Sequence, residues 1–395
     1  MQDDSHSTSS MRFDAVDWES FDAEGTAPTV PRWLVGGTLA FVGGFGYDSL
    51  SATGLPVDLT GLDWLLVAGL FGFGSFVLAI SLYRPRQLRH YWEQFRTDRL
   101  AVACLGVLTV FFLVGLFGPF VVAEPKLHTL VSSQPPVWGS IDAEFVPTCA
   151  GPVVDGRCQG TWRFPLGTMA ISGRDMVGML VLGTRTSLSV VLGAATIIVP
   201  TGVGVGVVAA TVGGRTRDAL LWLAEQLQTF PGILAYLLLF YWVVEGRLSL
   251  LIAVFGLAGW GGLARLVHDE VRLRRNEQYA RAAELGGVGS RRLLGRHLLP
   301  NVAPAIVSNV ALQVPLFVLI EASVSFIRLP VMTGSATLGD PTQISWGQLI
   351  YRSLFTAGLP AAWWLAGLPL LFLFLTVFCF NVVGDAFVDA LEPRG

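Results

Sequence analysis

The stretch that decides the reading is Asn276-Glu-Gln-Tyr-Ala-Arg-Ala-Ala-Glu-Leu-Gly-Gly-Val-Gly-Ser-Arg-Arg-Leu-Leu-Gly-Arg-His-Leu-Leu-Pro-Asn301. It forms most of a charged segment, 268–301, set between two apolar runs, Leu248–Val267 and Pro304–Phe326. Arg265, Arg272, Arg274, Arg275, Arg281, Arg291, Arg292 and Arg296 lie in or beside it. Basic loops between membrane spans stay on the cytoplasmic side. Tyr279–Leu285 is dense in good helix formers. Gly286, Gly287 and Gly289 then supply a stop and a turn, and Gly287 is expected at a positive φ, open to glycine without penalty. Arg291–Leu299 reads as a second helical stretch, with Leu293, Leu294 and Leu298 on one side and Arg292 and Arg296 on another. Pro300 and Pro304 mark entry to the next apolar run. Two short helices with a glycine corner make a stiff knob, suited to docking into a groove on a partner.

The composition around this loop excludes most alternatives. Of 395 residues, 52% are hydrophobic and 14% charged, against about 25% charged in a soluble domain. Mean hydropathy is +0.59. A net charge of -3 argues against nucleic-acid binding, which wants a basic face. The 45 glycines fit close helix packing in lipid.

The apolar runs predict roughly eight spans: Trp33–Phe45, Leu62–Leu82, Leu100–Val122, Ser187–Val212, Phe230–Val244, Leu248–Val267, Pro304–Phe326 and Trp363–Val383. Residues 1–31 read as a disordered acidic tail. Residues 32–99 hold two extra spans and a basic linker with Arg84, Arg86, Arg89, Arg96 and Arg99. Residues 100–395 form the main transmembrane domain, with an external loop at 123–176, a tight outer hairpin at Glu245-Gly-Arg247, and residues 327–360 outside. Every basic cluster then falls on one side, with both termini cytoplasmic.

Few side chains suggest chemistry. Cys149 and Cys158 lie in one polar loop and are either a disulfide or two free thiols. Cys104 and Cys379 sit in apolar runs as packed thiols. Glu321, deep in a span, is a candidate for the translocation path or a hydrogen bond packing one helix on another. Trp346, in an external segment, is an interface anchor or a contact for delivered substrate. Glu225 is assigned a structural role. Gly202, Gly204 and Gly206 follow no strand, so close helix contact is the reading rather than a phosphate loop. Five scattered histidines offer no metal set, so no metal or cofactor is expected in this chain. A membrane-embedded enzyme would need paired acids or a His-rich cluster at matching depth, and an ion channel a selectivity loop. Neither is visible.

Ala282-Ala283, Gly287 and Leu299-Pro300 resemble the "EAA…G…LP" loop of ABC-transporter permeases. Phe164-Pro-Leu-Gly-Thr168 with Gly173-Arg-Asp175, Thr229-Phe-Pro231, Gly259-Trp260, Glu321-Ala-Ser-Val-Ser-Phe326, Ser345-Trp-Gly347, and Asn381 with Gly384-Asp385 resemble, in order, segments of one subgroup. That subgroup is the C-type permease subunit of dipeptide, oligopeptide and nickel importers. The resemblance covers about residues 84–395 and implies an all-α polytopic membrane protein: a six-span permease core, here with two extra N-terminal spans. It also implies a second homologous permease, two ATPase subunits that grip the loop, an external solute-binding protein, and a membrane lipid setting. The coupling residues would be Arg281, Ala282, Ala283, Glu284, Gly287, Leu299 and Pro300. Arg281 stands where most relatives have an acid. Either Glu284, nearly one turn on, supplies the lost contact, or the partner's groove has changed sign. No Walker A sequence is present, so ATP hydrolysis falls to a partner.

Overall fold

The computed structural model describes residues 32–50, 61–83, 85–122, 125–240, 242, 247–332, 344–356 and 361–391. The acidic tail 1–31, most of the Glu245–Arg247 hairpin and the last four residues lie outside the described residues.

Most of the described residues are helical, because in lipid a helix satisfies every backbone donor within one segment. In order come α1 (Arg32–Leu50), α2 (Gly61–Tyr83), α3 (Pro85–Phe95) and α4 (Arg99–Val121). They are followed by α5 (Met176–Val212), α6 (Gly214–Thr229), α7 (Gly232–Phe240) and α8 (Arg247–Arg275). The last are α9 (Gln278–Leu285), α10 (Ser290–Leu293), α11 (Leu299–Met332), α12 (Trp346–Thr356) and α13 (Trp364–Leu391). Among the described residues α4, α5, α8, α11 and α13 are long and apolar enough to cross a membrane. The pair α6–α7, bent by 72°, makes a sixth if taken as one broken span. α2 carries a shorter apolar stretch, Asp63–Ala79. Of the eight runs read from the sequence, one differs in form. The Phe230–Val244 run is not a continuous span: Pro231 separates α6 from α7, and α7 has only nine residues.

The core of the bundle is α5 against α8. A Cβ on Gly202 would sit 2.9 Å from Leu263, and one on Gly206 would sit 2.5 Å from the Ala264 carbonyl oxygen. A Cβ on Gly204 would meet nothing within 4 Å. Gly202 and Gly206 therefore share the contact face, one turn apart, and the helix-contact reading of the Gly-x-Gly-x-Gly run holds. α5 also begins eleven residues before the expected Ser187, at a cap made by Asp175, whose side chain accepts from the Gly178 N–H. Burial raises the Asp175 pKa.

Segment 125–175 packs over the same end of the bundle as the start of α5. It holds a small antiparallel sheet, β1 (Ser140–Asp142), β2 (Val153–Val154) and β3 (Arg157–Gln159), in the order β1-β3-β2. Cys158 on β3 is disulfide-bonded to Cys149, which resolves the choice left open by the sequence. Gln134 ties the loop down, donating to the Thr148 carbonyl at 2.8 Å and accepting from the Ala150 N–H at 2.9 Å. Thr168 is fully buried and donates to the Val131 carbonyl at 2.6 Å. The Phe164–Asp175 motif thus latches the segment onto α5.

α2 is docked on α5 by more than apolar contact. Gly69 abuts Leu192, and Arg185 of α5 pairs with Asp63 of α2 at 2.7 Å, both side chains about three-quarters buried. Losing one partner of a buried pair strands the other charge, at about 3–5 kcal/mol. Asp63→Asn should therefore lower the melting temperature of the detergent-purified protein. Asp63→Asn combined with Arg185→Met should recover most of the loss. A double variant no better than the single would show that the pair does not hold α2 in place.

Candidate functional site

The knob is built from the end of α8, α9 and the start of α11. α8 does not stop at Val267 as the hydropathy suggested but continues to Arg275. Residues 268–275 are thus rigidly joined to a spanning helix. The chain turns at Asn276–Glu277, where Arg274 Nη1 donates to Glu277 Oε1 at 3.0 Å. α9 then folds back. Ala280 is fully buried, and Val271 of α8, Leu293, Leu298 and Val302 close over it in one shared apolar core.

The glycine corner is a Schellman motif. The Gly287 N–H donates to the Glu284 carbonyl at 3.0 Å, and the Val288 N–H donates to the Ala283 carbonyl at 3.1 Å. Gly287 sits at φ +79°, the left-handed conformation such a cap requires. A Cβ there would meet no atom within 4 Å, so the demand for glycine is purely conformational.

The expected second knob helix is different in kind. α10, a five-residue π turn (Leu294–Leu298) and α11 run on as one helical path. The Leu299 N–H donates back to the Leu294 carbonyl, five residues earlier. Pro300 has no N–H, and its ring would clash with the carbonyl four residues before it. The widened turn makes room for that ring. Leu299-Pro300 is therefore the joint at which the knob passes into a span.

Glu284 has a partner within the knob itself. Its Oε1 accepts from Arg275 Nε at 3.1 Å, so its carboxylate braces α9 against α8. The outward stripe is instead Gln278, Arg281, Ala282 and Leu285, all exposed and spaced i, i+3, i+4, i+7 on one helix face. Leu285 is 91% exposed. The sequence reading passed over it, although a leucine four residues after Arg281 shares that residue's face. An isolated large apolar side chain at the tip of a stiff, otherwise polar element is a natural anchor for a partner's pocket.

Both path candidates are buried and engaged within the bundle. Trp346 is fully buried. Its Nε1 donates to the Leu180 carbonyl at 3.2 Å, and its ring rests on Gly183. It locks α12 to α5 and is no contact for substrate in this conformation. Glu321 is also fully buried. It accepts from Ser325 at 2.8 Å and from Ser187 of α5 at 3.4 Å, the helix-packing alternative. Gly347 lies directly on the Ala322 backbone, so the Glu321 and Trp346 motifs form one latch among α5, α11 and α12. Glu225 pairs with Arg265 at 2.6 Å, in keeping with a structural role. Beside that pair an open cleft of about 550 Å³ is lined by Gln228, Arg265, Asp269, Glu270 and Asn309, among others. The described residues contain no group of three or more His, Cys, Asp or Glu able to hold a metal ion.

The structure is a multi-pass helical bundle with a stiff knob at one end and a latched, disulfide-closed segment at the other, and the comparisons give its family. Residues 202–394 match the family described as binding-protein-dependent transport system inner membrane component. Residues 86–136 match the N-terminal TM domain of oligopeptide transport permease C. The chain is 31% identical over 303 residues to the dipeptide transport system permease protein DppC of Bacillus subtilis, covering 77% of this chain and 84% of that one. It is 32% identical over 253 residues to the oligopeptide transport system permease protein OppC of Haemophilus influenzae (64% and 76%). It is 29% identical over 311 residues to OppC of Escherichia coli K12 (78% and 92%). The chain belongs to this family of ABC-importer permeases, a transport family and not an enzyme family. Both family matches begin at or after residue 86, so α1 and α2 lie before them.

The Arg275–Glu284 brace yields a charge-swap test. An exposed ion pair is worth only about 0–1 kcal/mol, so Glu284→Gln should change uptake little. Glu284→Arg sets like charges together and should lower ATP-driven uptake with normal membrane abundance. Arg275→Glu added to Glu284→Arg should restore it. Failure of the swap to restore uptake would mean that Glu284 acts on the partner and not on α8.

Proposed function

We propose that this chain is one permease half of an ATP-driven importer that carries dipeptides or oligopeptides delivered by an external solute-binding protein. The observation that carries the reading is the knob. α9 is held against α8 by a shared core and an ion pair, while the opposite face of α9 stands free. A permease must transmit displacement from its motor, and only a stiff element can do so. Two ATPase subunits supply hydrolysis, one on this knob and one on that of a second, homologous permease. No cofactor is needed in this chain. The peptide cargo is the reading favoured by relatives named for dipeptide and oligopeptide transport, with nickel chelates as the alternative.

The domain plan goes with this reading. Residues 1–31 form a cytoplasmic tail, α1 and α2 two additional spans, 100–395 the permease domain, and both termini lie in the cytoplasm. The Arg84–Arg99 and Arg272–Arg296 clusters then share the cytoplasmic side. The cleft beside Arg265 opens on the side where cargo leaves.

Two measurements test this. Proteoliposomes holding both permeases and both ATPases should accumulate a labelled peptide only with the binding protein and ATP. Accumulation without ATP would contradict an ATP-driven importer. In intact cells, a membrane-impermeant thiol reagent should label Ser140→Cys and spare Ser290→Cys. Labelling of position 290 from outside would invert the arrangement.

A further inference from the structure

The cleft beside the Glu225–Arg265 pair has a volume of about 550 Å³, within the roughly 300–1,000 Å³ of small-molecule sites. Its floor is one face of α8, where Gly262, Arg265, Leu266, Asp269 and Glu270 follow one another at helical spacing. α6 gives Gln228 to one wall, and α11 gives Asn309 to the other. Both walls are seated firmly on α8. A Cβ on Gly261 would strike the Ala224 carbonyl of α6, and one on Gly259 would sit 3.6 Å from Phe317 of α11.

Arg265 and Asp269 are four residues apart on that floor, a spacing at which opposite charges ordinarily meet. Here each is engaged elsewhere. Arg265 Nη2 lies 2.6 Å from Glu225 Oε1, and Asp269 Oδ1 lies 2.8 Å from His268 Nδ1. Both keep capacity for a second partner. A guanidinium carries five donors and a carboxylate two acceptor oxygens, and the two side chains are 41% and 68% exposed. Glu270 is underused as well. Its Oε2 is buried with no hydrogen-bond partner, and Arg274 Nε, at 3.7 Å, stands beyond hydrogen-bond range. An acceptor left in that state is costly, and an arriving ammonium would supply the donor.

The cleft therefore has a cationic pole at Arg265 and an anionic pole at Asp269 and Glu270. One helical turn separates them, about 6 Å along the axis. Two residues of extended peptide cover about the same length, at roughly 3.3 Å each. The planar guanidinium fork matches a carboxylate. Gln228 and Asn309 offer side-chain amides that can meet a peptide bond.

We infer that this cleft is a zwitterion site, and that its ligand is a dipeptide on its way out of the transporter. Arg265 takes the carboxylate, and Asp269 with Glu270 takes the ammonium. The identity of the ligand rests on the peptide reading given above. Asp269 lies nearer the knob than Arg265 along α8, so the ammonium end points toward the knob. Such a site selects for cargo with both termini free.

The test is equilibrium binding of alanyl-alanine to the complete transporter in nanodiscs, without nucleotide and without the binding protein. Its N-acetyl and C-amide forms should each bind more weakly by about tenfold or more, the scale of a lost charge-assisted hydrogen bond. Asp269→Asn should weaken alanyl-alanine by about the same factor and leave the N-acetyl form unchanged. Arg265→Gln should weaken alanyl-alanine likewise and leave the C-amide form unchanged. No binding to the wild type, no loss in the variants, or an equal loss for all three ligands overturns the site. Arg265→Gln also strands Glu225. Should it fail to reach the membrane, Asp269→Asn, at an exposed position, decides alone by the same comparison. If the wild-type transporter with its binding protein imports no dipeptide, the peptide reading fails by itself. The site is then judged with ε-aminocaproate, which carries both charges at similar reach and has no peptide bond. Binding that weakens in Asp269→Asn upholds a zwitterion site for another cargo. No binding, or binding unchanged in the variant, overturns it.

Discussion

The close approach of α5 and α8 at Gly202 and Gly206 is the constraint on which the rest of the structure depends. Lipid tails are as apolar as leucine, so helices in a membrane gain little by hiding leucine from them. They associate through van der Waals fit, and small residues let two backbones come within range. With α8 seated this deeply, its far end becomes a fixed post. The arginine-rich extension to Arg275 keeps the helix of the span, and α9 can be clamped to it.

The two ends of α5 then take opposite tasks. One end is bound by the Phe164–Asp175 latch, the Glu321–Ser187 hydrogen bond and the Trp346–Leu180 contact. The other passes through Gly213 into α6 and supports the face on which Glu225 meets Arg265. α11 links the two regions, running from the π turn at the knob to Glu321. A displacement of the knob therefore has a continuous helix along which to reach the latch.

Much of this was legible because it has few physical solutions. A glycine corner after a short helix needs a residue at positive φ, and Gly287 provides it. Long apolar runs become helices because lipid permits little else, which made α4, α5, α8, α11 and α13 readable. What was not legible depends on neighbours remote in sequence. The end of α8 was hidden because hydropathy reports where lipid stops, not where a helix stops. The Arg275–Glu284 pair was hidden because its partners sit nine residues apart, on either side of a turn. Trp346 lay in a stretch read as external, and only the arrangement of Gly183 and Leu180 shows that it is core. Leu285 was overlooked because a single leucine in a polar loop reads as a local core residue. The small sheet closed by Cys149 and Cys158 has strands of two and three residues, too short to leave an alternating pattern.

The central claim is that the free stripe of α9, anchored by Leu285, is the surface gripped by the motor. Site-specific photo-crosslinking in the assembled transporter measures this directly. A photoreactive residue placed at position 285 should give a covalent adduct with an ATPase subunit, and so should one at 281. The same group at buried position 280 should give none. An ATPase adduct absent at 285, or one that appears only from positions outside α9, would contradict the account.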